Sequence, residues 1–201
     1  MKYKYFHWGP FLFQTQIKPE ECQIILKEGK KCRIKSNDHR SYLAGHLSEE
    51  YQLTNKKIII EWLEKYLKAY ANSYNSWRGV NGESDRLIDL RLQSLWINYM
   101  KAGDFNPPHH HAADISFVIY PSTSEKIIKE NKAFKGKRNQ GGGPGSVSWM
   151  WGEDVDQCIC VVDHLPRAGD LFIFPATLKH WVFPFRSKVE RISVSGNILK
   201  K

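Results

Sequence analysis

The apolar positions of this chain follow two different periods. Between residues 56 and 72, Ile59, Trp62, Leu63, Tyr66, Leu67 and Tyr70 recur every three to four residues, which is the spacing of one helix face. The segment "NKKIIIEWLEKYLKAYANSYNSW" therefore predicts a long helix whose stripe packs on a core, and "RGVNGESD" ends it. Upstream, "KPEECQIILKEGKKC" has Pro19 near its start, acids in its first turn and lysines in its last, the signals of a second helix. Residues 3 to 17, "YKYFHWGPFLFQTQI", read as strand broken at Gly9-Pro10, and residues 36 to 55 as polar loop.

From residue 86 the texture changes. "LRLQSLWINYM", "DISFVIYP", "SVSWMW", "CICVVDHL", "DLFIFPA", "HWVFPF" and "RISVSGNIL" are short β-rich segments separated by turn signals. Strands of this kind predict a sandwich or barrel. The expected plan is one mainly-β domain over residues 1–201, with helical support at about 18–80 and a β core at about 86–199. "KENKAFKGKRNQGGGPGS" is a polar, glycine-rich stretch without P-loop spacing. The loop 124–146 that contains it is expected to cover a site.

Composition narrows the class. Seven Trp and ten Phe imply a packed core. The four cysteines have no zinc-finger spacing and are too few for a disulfide scaffold. Cys158 and Cys160, in "CICVV", are expected to share one strand face as small buried hydrophobes. No apolar run approaches a membrane span. The start, "MKYKYFHWGP", lacks the apolar core and cleavage site of a secretory leader. A cytoplasmic location is the expectation, in the host cytoplasm if a phage encodes the chain. The net charge of +9 suits an acidic partner such as nucleic acid. The lysines are scattered, however, so nucleic-acid binding has no support beyond that charge.

The chemistry concentrates in two stretches. "NPPHHHAADISFVIY", at 106 to 120, sets three histidines before a strand. Strand alternation turns His109 and His111 to one side and His110 to the other. His180, at the mouth of the strand after "GDLFIFPA", is the best third ligand. Three neighbouring vertices filled by protein leave an open face, as in non-haem iron sites. Eleven residues on, "ERISVSGN" places Arg191 and Ser193 on one strand face. A buried guanidinium calls for an anion; it binds a carboxylate through two parallel hydrogen bonds, and a neighbouring hydroxyl adds a third. His7, His39, His46 and His164 read as structural or solvated.

"LWINYMKAGDFNPPHHHAADISFVIYP" and "PRAGDLFIFPATLKHWVFPFRSKVERISVSGNI" carry these residues over roughly 94–121 and 166–198. Together they resemble the Fe(II)/2-oxoglutarate-dependent dioxygenases, closest to small 2OG-Fe(II) oxygenases of marine bacteria and phages; "AGHLS" at 44–48 also fits. The resemblance implies a double-stranded β-helix, a cupin-like jelly roll with helices on one sheet. It implies Fe(II), 2-oxoglutarate as small-molecule co-substrate, and O2. The implied reaction hydroxylates an unactivated C–H bond of a protein, amino acid or other substrate, with release of succinate and CO2. By position His109 matches the first iron-binding histidine and His180 the distal one. Arg191 matches the arginine that grips the far carboxylate of 2-oxoglutarate, and Ser193 its partner hydroxyl. Tyr99 and Tyr120 fall where relatives place tyrosines near the co-substrate; Asn98 and, more weakly, Asn197 join them.

One departure matters. The family's usual motif is His-x-Asp/Glu, and here His111 stands where the carboxylate belongs. Either the centre is His109, His111 and His180, as the i, i+2 spacing favours, or a bulge brings in Asp114 beside His111 and His180, or the metal is weakly held and the chain is not catalytic. The rival classes are a non-redox cupin-like metal-binding protein or isomerase, which would not need Arg191 and Ser193, and a nucleic-acid-binding β-domain. The residues select neither the primary substrate nor an oligomeric state.

Overall fold

The computed structural model describes residues 9–42, 44–79, 90–134, 142–153 and 158–200. Among these residues, ten strands form two antiparallel sheets. The larger has the order β1 (Phe13–Gln16), β8 (Asp170–Pro175), β5 (Ile115–Ile119), β10 (Arg191–Lys200), β3 (Leu90–Met100) and β2 (Glu50–Gln52). The smaller has the order β4 (Asn106–His109), β9 (Lys179–Val182), β6 (Val147–Met150) and β7 (Val161–His164). Three α-helices among the described residues accompany them: α1 (Pro19–Cys32), α2 (Lys56–Trp77) and α3 (Glu125–Ala133). None is long and apolar enough to cross a membrane.

The centre of the large sheet is buried on both faces, and strand parity sorts its side chains. Phe117, Ile119, Leu171, Ile173 and Val194 turn towards α1 and α2, which bury Ile25, Ile59, Leu63 and Tyr70 against them. Val118, Tyr120, Phe172 and Phe174 turn inward and meet Val147, Trp149 and Val182 of the small sheet. Burial on both faces explains why "ISFVI" in β5 is an unbroken apolar run with all five positions buried. Glu21 ties the helices together: its carboxylate accepts from Tyr66 Oη at 2.7 Å and from Lys65 Nζ at 2.5 Å.

β10 lies between β5 and β3, and Gly196 is the point of closest approach. A Cβ there would stand 2.5 Å from Phe117 Cζ and 2.9 Å from the Ser94 carbonyl oxygen. A packed ring and a backbone atom in a central ladder cannot both give way. Gly196→Ala is expected to destabilise the fold by about 1–3 kcal/mol. The check is a lower urea midpoint at an unchanged m-value.

Several expectations change. The polar stretch 36–55 contains β2, which pairs with the edge of β3; three residues are too few to show a period. The stretch 124–146 is not a loop throughout. α3 occupies its first part, N-capped by the Ser124 side chain, with Ile127 and Ile128 buried. A nine-residue helix rich in lysine carries too short an apolar stripe to be read from sequence. Cys158 and Cys160 do not share a strand face: β7 begins only at Val161, Cys158 is exposed and Cys160 buried. The readings at 3–8 and 80–89 lie outside the described residues, as do residues 135–141 of the expected cover.

Candidate active site

Two strands of the small sheet set the first pair of candidate ligands. β4 pairs with β9 so that His109 lies opposite His180, with an irregular register between Asn106 and His109. Pro107 and Pro108 cause that irregularity, since neither has an N–H to give the ladder. β4 ends at His109, so His111 does not stand on the same strand as expected. Its backbone N–H instead donates to the Ala176 carbonyl at 2.8 Å, in the turn that leads to β9. That bond returns the ring to the cluster. Ring centroids are 4.3 Å apart for His109 and His180, and 5.1 Å for each of the other two pairs. One ring nitrogen from each histidine lies within 4.8 Å of the others.

The protonation states follow from the partners. His109 Nδ1 is 2.7 Å from the Pro107 carbonyl and His180 Nδ1 is 2.9 Å from the Leu178 carbonyl. A carbonyl only accepts, so each Nδ1 carries the proton and each Nε2 keeps a lone pair. Burial, reinforced by the neighbouring imidazoles, lowers the pKa of His109, pushes that of His111 down to about 4 and holds that of His180 well below the ordinary range. Three neutral, converging imidazoles at neutral pH suit a divalent transition metal.

Asp114 stands apart from this arrangement. It is exposed, and its carboxylate accepts the Lys200 N–H at 2.8 Å at the far end of β10. Among the described residues the converging group is His109, His111 and His180.

The candidate anion-binding group of the cavity is Arg191. Only 7% of the residue is exposed. Its Nε donates to the Gly145 carbonyl at 3.0 Å, and its guanidinium carbon lies 4.9 Å from the centre of the Tyr120 ring. Its Nη2 is buried with no hydrogen-bond partner among the described residues. No acidic side chain among the described residues pairs with it. A buried charge of this kind costs several kcal/mol unless something compensates it. Ser193, two residues on, accepts from Asn98 Nδ2 at 3.3 Å. Arg191, Ser193, Asn98, Tyr120 and the three histidines line one cavity. An orphaned donor opposite three imidazoles fits a carboxylate ligand that also reaches a metal.

Two expected site residues fall elsewhere. Tyr99 follows Asn98 on β3, so parity sends it to the opposite face. There it packs 6.1 Å from the Tyr51 ring with the Arg33 guanidinium 4.3 Å above it, in the helix-side core. Asn197 accepts from Ser116 Oγ at 2.7 Å and does not line the cavity. The expected cover is pinned over its helical part: Glu130 of α3 accepts the backbone N–H groups of Arg186 and Ser187, each at 2.8 Å.

The cavity also holds Trp96, Asn106 and Glu50, which the motif reading passed over. Trp96 could have been found, since parity sets it on the same face as Asn98. Glu50 could not, because its stretch showed no period. Glu50 is 2% exposed, and burial pushes its pKa up to about 7 from 4.5. A carboxyl with a raised native pKa contributes stability that is complete below its unfolded value and is lost as pH rises from about 4.5 through 7. Glu50→Gln is therefore expected to match the wild type at pH about 4. Above pH about 7 it should be more stable, by on the order of 3 kcal/mol. Urea titrations of both proteins at the two pH values decide it; an equal difference at both sinks the assignment.

Residues 94–197, from β3 to β10, match the model of a family described as "Putative 2OG-Fe(II) oxygenase". A prolyl-4-hydroxylase from Pseudomonas putida superposes with a TM-score of 0.61 at 14% identity, over 94% of this chain and 92% of that one. A viral collagen prolyl hydroxylase from Paramecium Bursaria Chlorella virus-1, solved as a 2OG complex, gives 0.56 at 13%, over 94% and 96%. HygX from Streptomyces hygroscopicus, solved with nickel, 2-oxoglutarate and hygromycin B, gives 0.54 at 10%, over 94% and 81%. At these identities the likeness is one of fold, the double-stranded β-helix expected above. Ribonuclease 3 of Ureaplasma parvum is 25% identical over 138 residues, which is 65% of this chain. The chain spans only 56% of that curated relative's length, and the match assigns no activity.

Proposed function

As the chain belongs to the 2OG-Fe(II) oxygenase family, we propose that it is an Fe(II)- and 2-oxoglutarate-dependent dioxygenase with a three-histidine metal centre. His109, His111 and His180 hold the iron. Arg191 and Ser193 hold the far carboxylate of 2-oxoglutarate, with Asn98 and Tyr120 beside them. The observation that carries this reading is Arg191: a buried guanidinium with an unpartnered Nη2 lines the same cavity as three converging neutral imidazoles. A cupin-like metal-binding protein or isomerase would explain the histidines and leave that arginine without a purpose.

When bound, the iron and 2-oxoglutarate couple decarboxylation of the co-substrate, giving succinate and CO2, to insertion of an oxygen atom from O2 into a substrate C–H bond. The chain's own share is positional and electrostatic. The Pro107 and Leu178 carbonyls fix the tautomers of His109 and His180, so that each Nε2 is presented as a ligand. The Gly145 carbonyl and the Tyr120 ring fix the plane of the Arg191 guanidinium, leaving Nη2 to meet the carboxylate. Phe174 and Val182 give the cavity apolar walls that limit water near the reacting atoms.

The test needs no knowledge of the primary substrate. Protein reconstituted with Fe(II) is expected to convert 2-oxoglutarate slowly to succinate in air, and a chelator should stop it. If no succinate forms and calorimetry shows no metal-dependent binding of 2-oxoglutarate under anaerobic conditions, the proposal fails.

A further inference from the structure

We infer that the β2 side of the cavity is a subsite for a cationic hydrogen-bond donor, an ammonium or guanidinium group on the substrate to be oxidised, with Glu50 as its anchor. This deepens the oxygenase reading above and rests on it for the word substrate.

Alternation gives Glu50, the first residue of β2, and Glu49 just before it opposite fates. Glu49 turns to the helix side, where its carboxylate meets Arg33 at 2.5 Å and also Lys101. Tyr51 turns the same way, towards Tyr99. Glu50 turns to the cavity, opposite Asn98 in the register of β2 and β3. One carboxylate thus has two cations and the other has none. The Glu50 carboxyl receives no hydrogen bond and forms no ion pair among the described residues, although the residue is almost wholly buried.

The charged groups near Glu50 do not supply what it lacks. Arg40, the cation that acts on it, is committed to Asp38 through bonds of 2.6 and 3.0 Å and to the Ser48 carbonyl at 3.2 Å. Asp38 and Asp104 add negative potential to the same side. Two further acceptors in the lining are also orphaned: Asn98 Oδ1 and Asn106 Oδ1 are buried with no donor among the described residues. The Trp96 ring, 5.5 Å from that of His111, completes this wall, and an indole face attracts a cation.

The cavity is therefore divided by sign. One end offers an unused donor on a guanidinium, which suits a dianion. The other offers a carboxyl and two amide oxygens that all lack donors, beside an aromatic ring. An anionic or purely apolar substrate would leave those acceptors dry and unpaired; an alkylammonium or alkylguanidinium supplies several N–H groups and a charge at once. Burial keeps the pKa of Glu50 high while it stands alone, and a bound cation would favour its ionised form.

The experiment uses Zn(II)-loaded protein, which does not turn over, and ligand-observed NMR with four probes of one chain length: butylammonium, butylguanidinium, butanamide and butyrate. The two cations are expected to bind at least about tenfold more tightly than the amide and the carboxylate. Glu50→Gln should weaken the cations by about tenfold or more, and Glu50→Asp should lie between, with unfolding midpoints confirming that both variants are folded. The inference is overturned if neither cation binds, if they bind Glu50→Gln equally well, or if butanamide binds as tightly as they do. Every titration is repeated with 2-oxoglutarate present. Cation binding without any binding of 2-oxoglutarate would sink the oxygenase reading alone; the reverse would sink the subsite alone.

Discussion

Replacing Arg191 with methionine is expected to weaken 2-oxoglutarate binding by about a hundredfold or more and to leave the protein folded. A charged group that loses its buried, hydrogen-bonded partner costs about 2–5 kcal/mol of affinity, and each 1.4 kcal/mol is about tenfold. Stability should move little, or upward. The unliganded chain carries the desolvation of a guanidinium whose Nη2 has no partner, and methionine removes that cost while filling similar volume. What it gives up is one hydrogen bond to the Gly145 carbonyl and the contact with the Tyr120 ring, each worth about 1 kcal/mol. A site that weakens the fold in order to bind a ligand has this signature. Arg191→Lys should fall between the two, because it keeps the charge and loses the fork that matches a carboxylate. Anaerobic calorimetry with metal-loaded protein measures all three. If Arg191→Met binds 2-oxoglutarate as tightly as the wild type does, the carboxylate clamp lies elsewhere.

The second large effect separates His111 from Asp114. His111→Ala is expected to lower metal affinity by at least about a hundredfold, since even an outer partner of a ligating histidine is worth about 10–100-fold. Asp114→Asn should leave affinity within about threefold, because its carboxylate is occupied with the Lys200 N–H and takes no part in the converging group. Competition titrations with a chromogenic chelator give both values. The opposite ranking would mean that the segment after β4 rearranges when metal binds, and that the alternative set of His111, Asp114 and His180 is the functional one.

Much of this protein is legible along the chain because the relevant signals are local. The helical stripe of α2 runs from Ile59 to Tyr70, and its innermost members are the buried residues of that helix. The strands β3, β5, β6, β8 and β10 lie where the β-rich runs and turn signals placed them. The histidines and Arg191 could be singled out because imidazole and guanidinium in strand context have few purposes besides binding.

Other features were not local. β2 and α3 are short, and their burial comes from pairing with β3 and from packing under the small sheet, not from any period of their own. His111 leaves its strand and is still returned to the cluster by the Ala176 carbonyl, a partner more than sixty residues away. Parity shows the limit most directly. Alternation alone requires Asn98 and Tyr99 to face opposite sides, and likewise Glu49 and Glu50. It cannot say which side will be the cavity. The period of a strand is a property of the chain. The identity of its two faces is decided only when α1 and α2 cover one of them and the small sheet, bearing His109 and His180, covers the other.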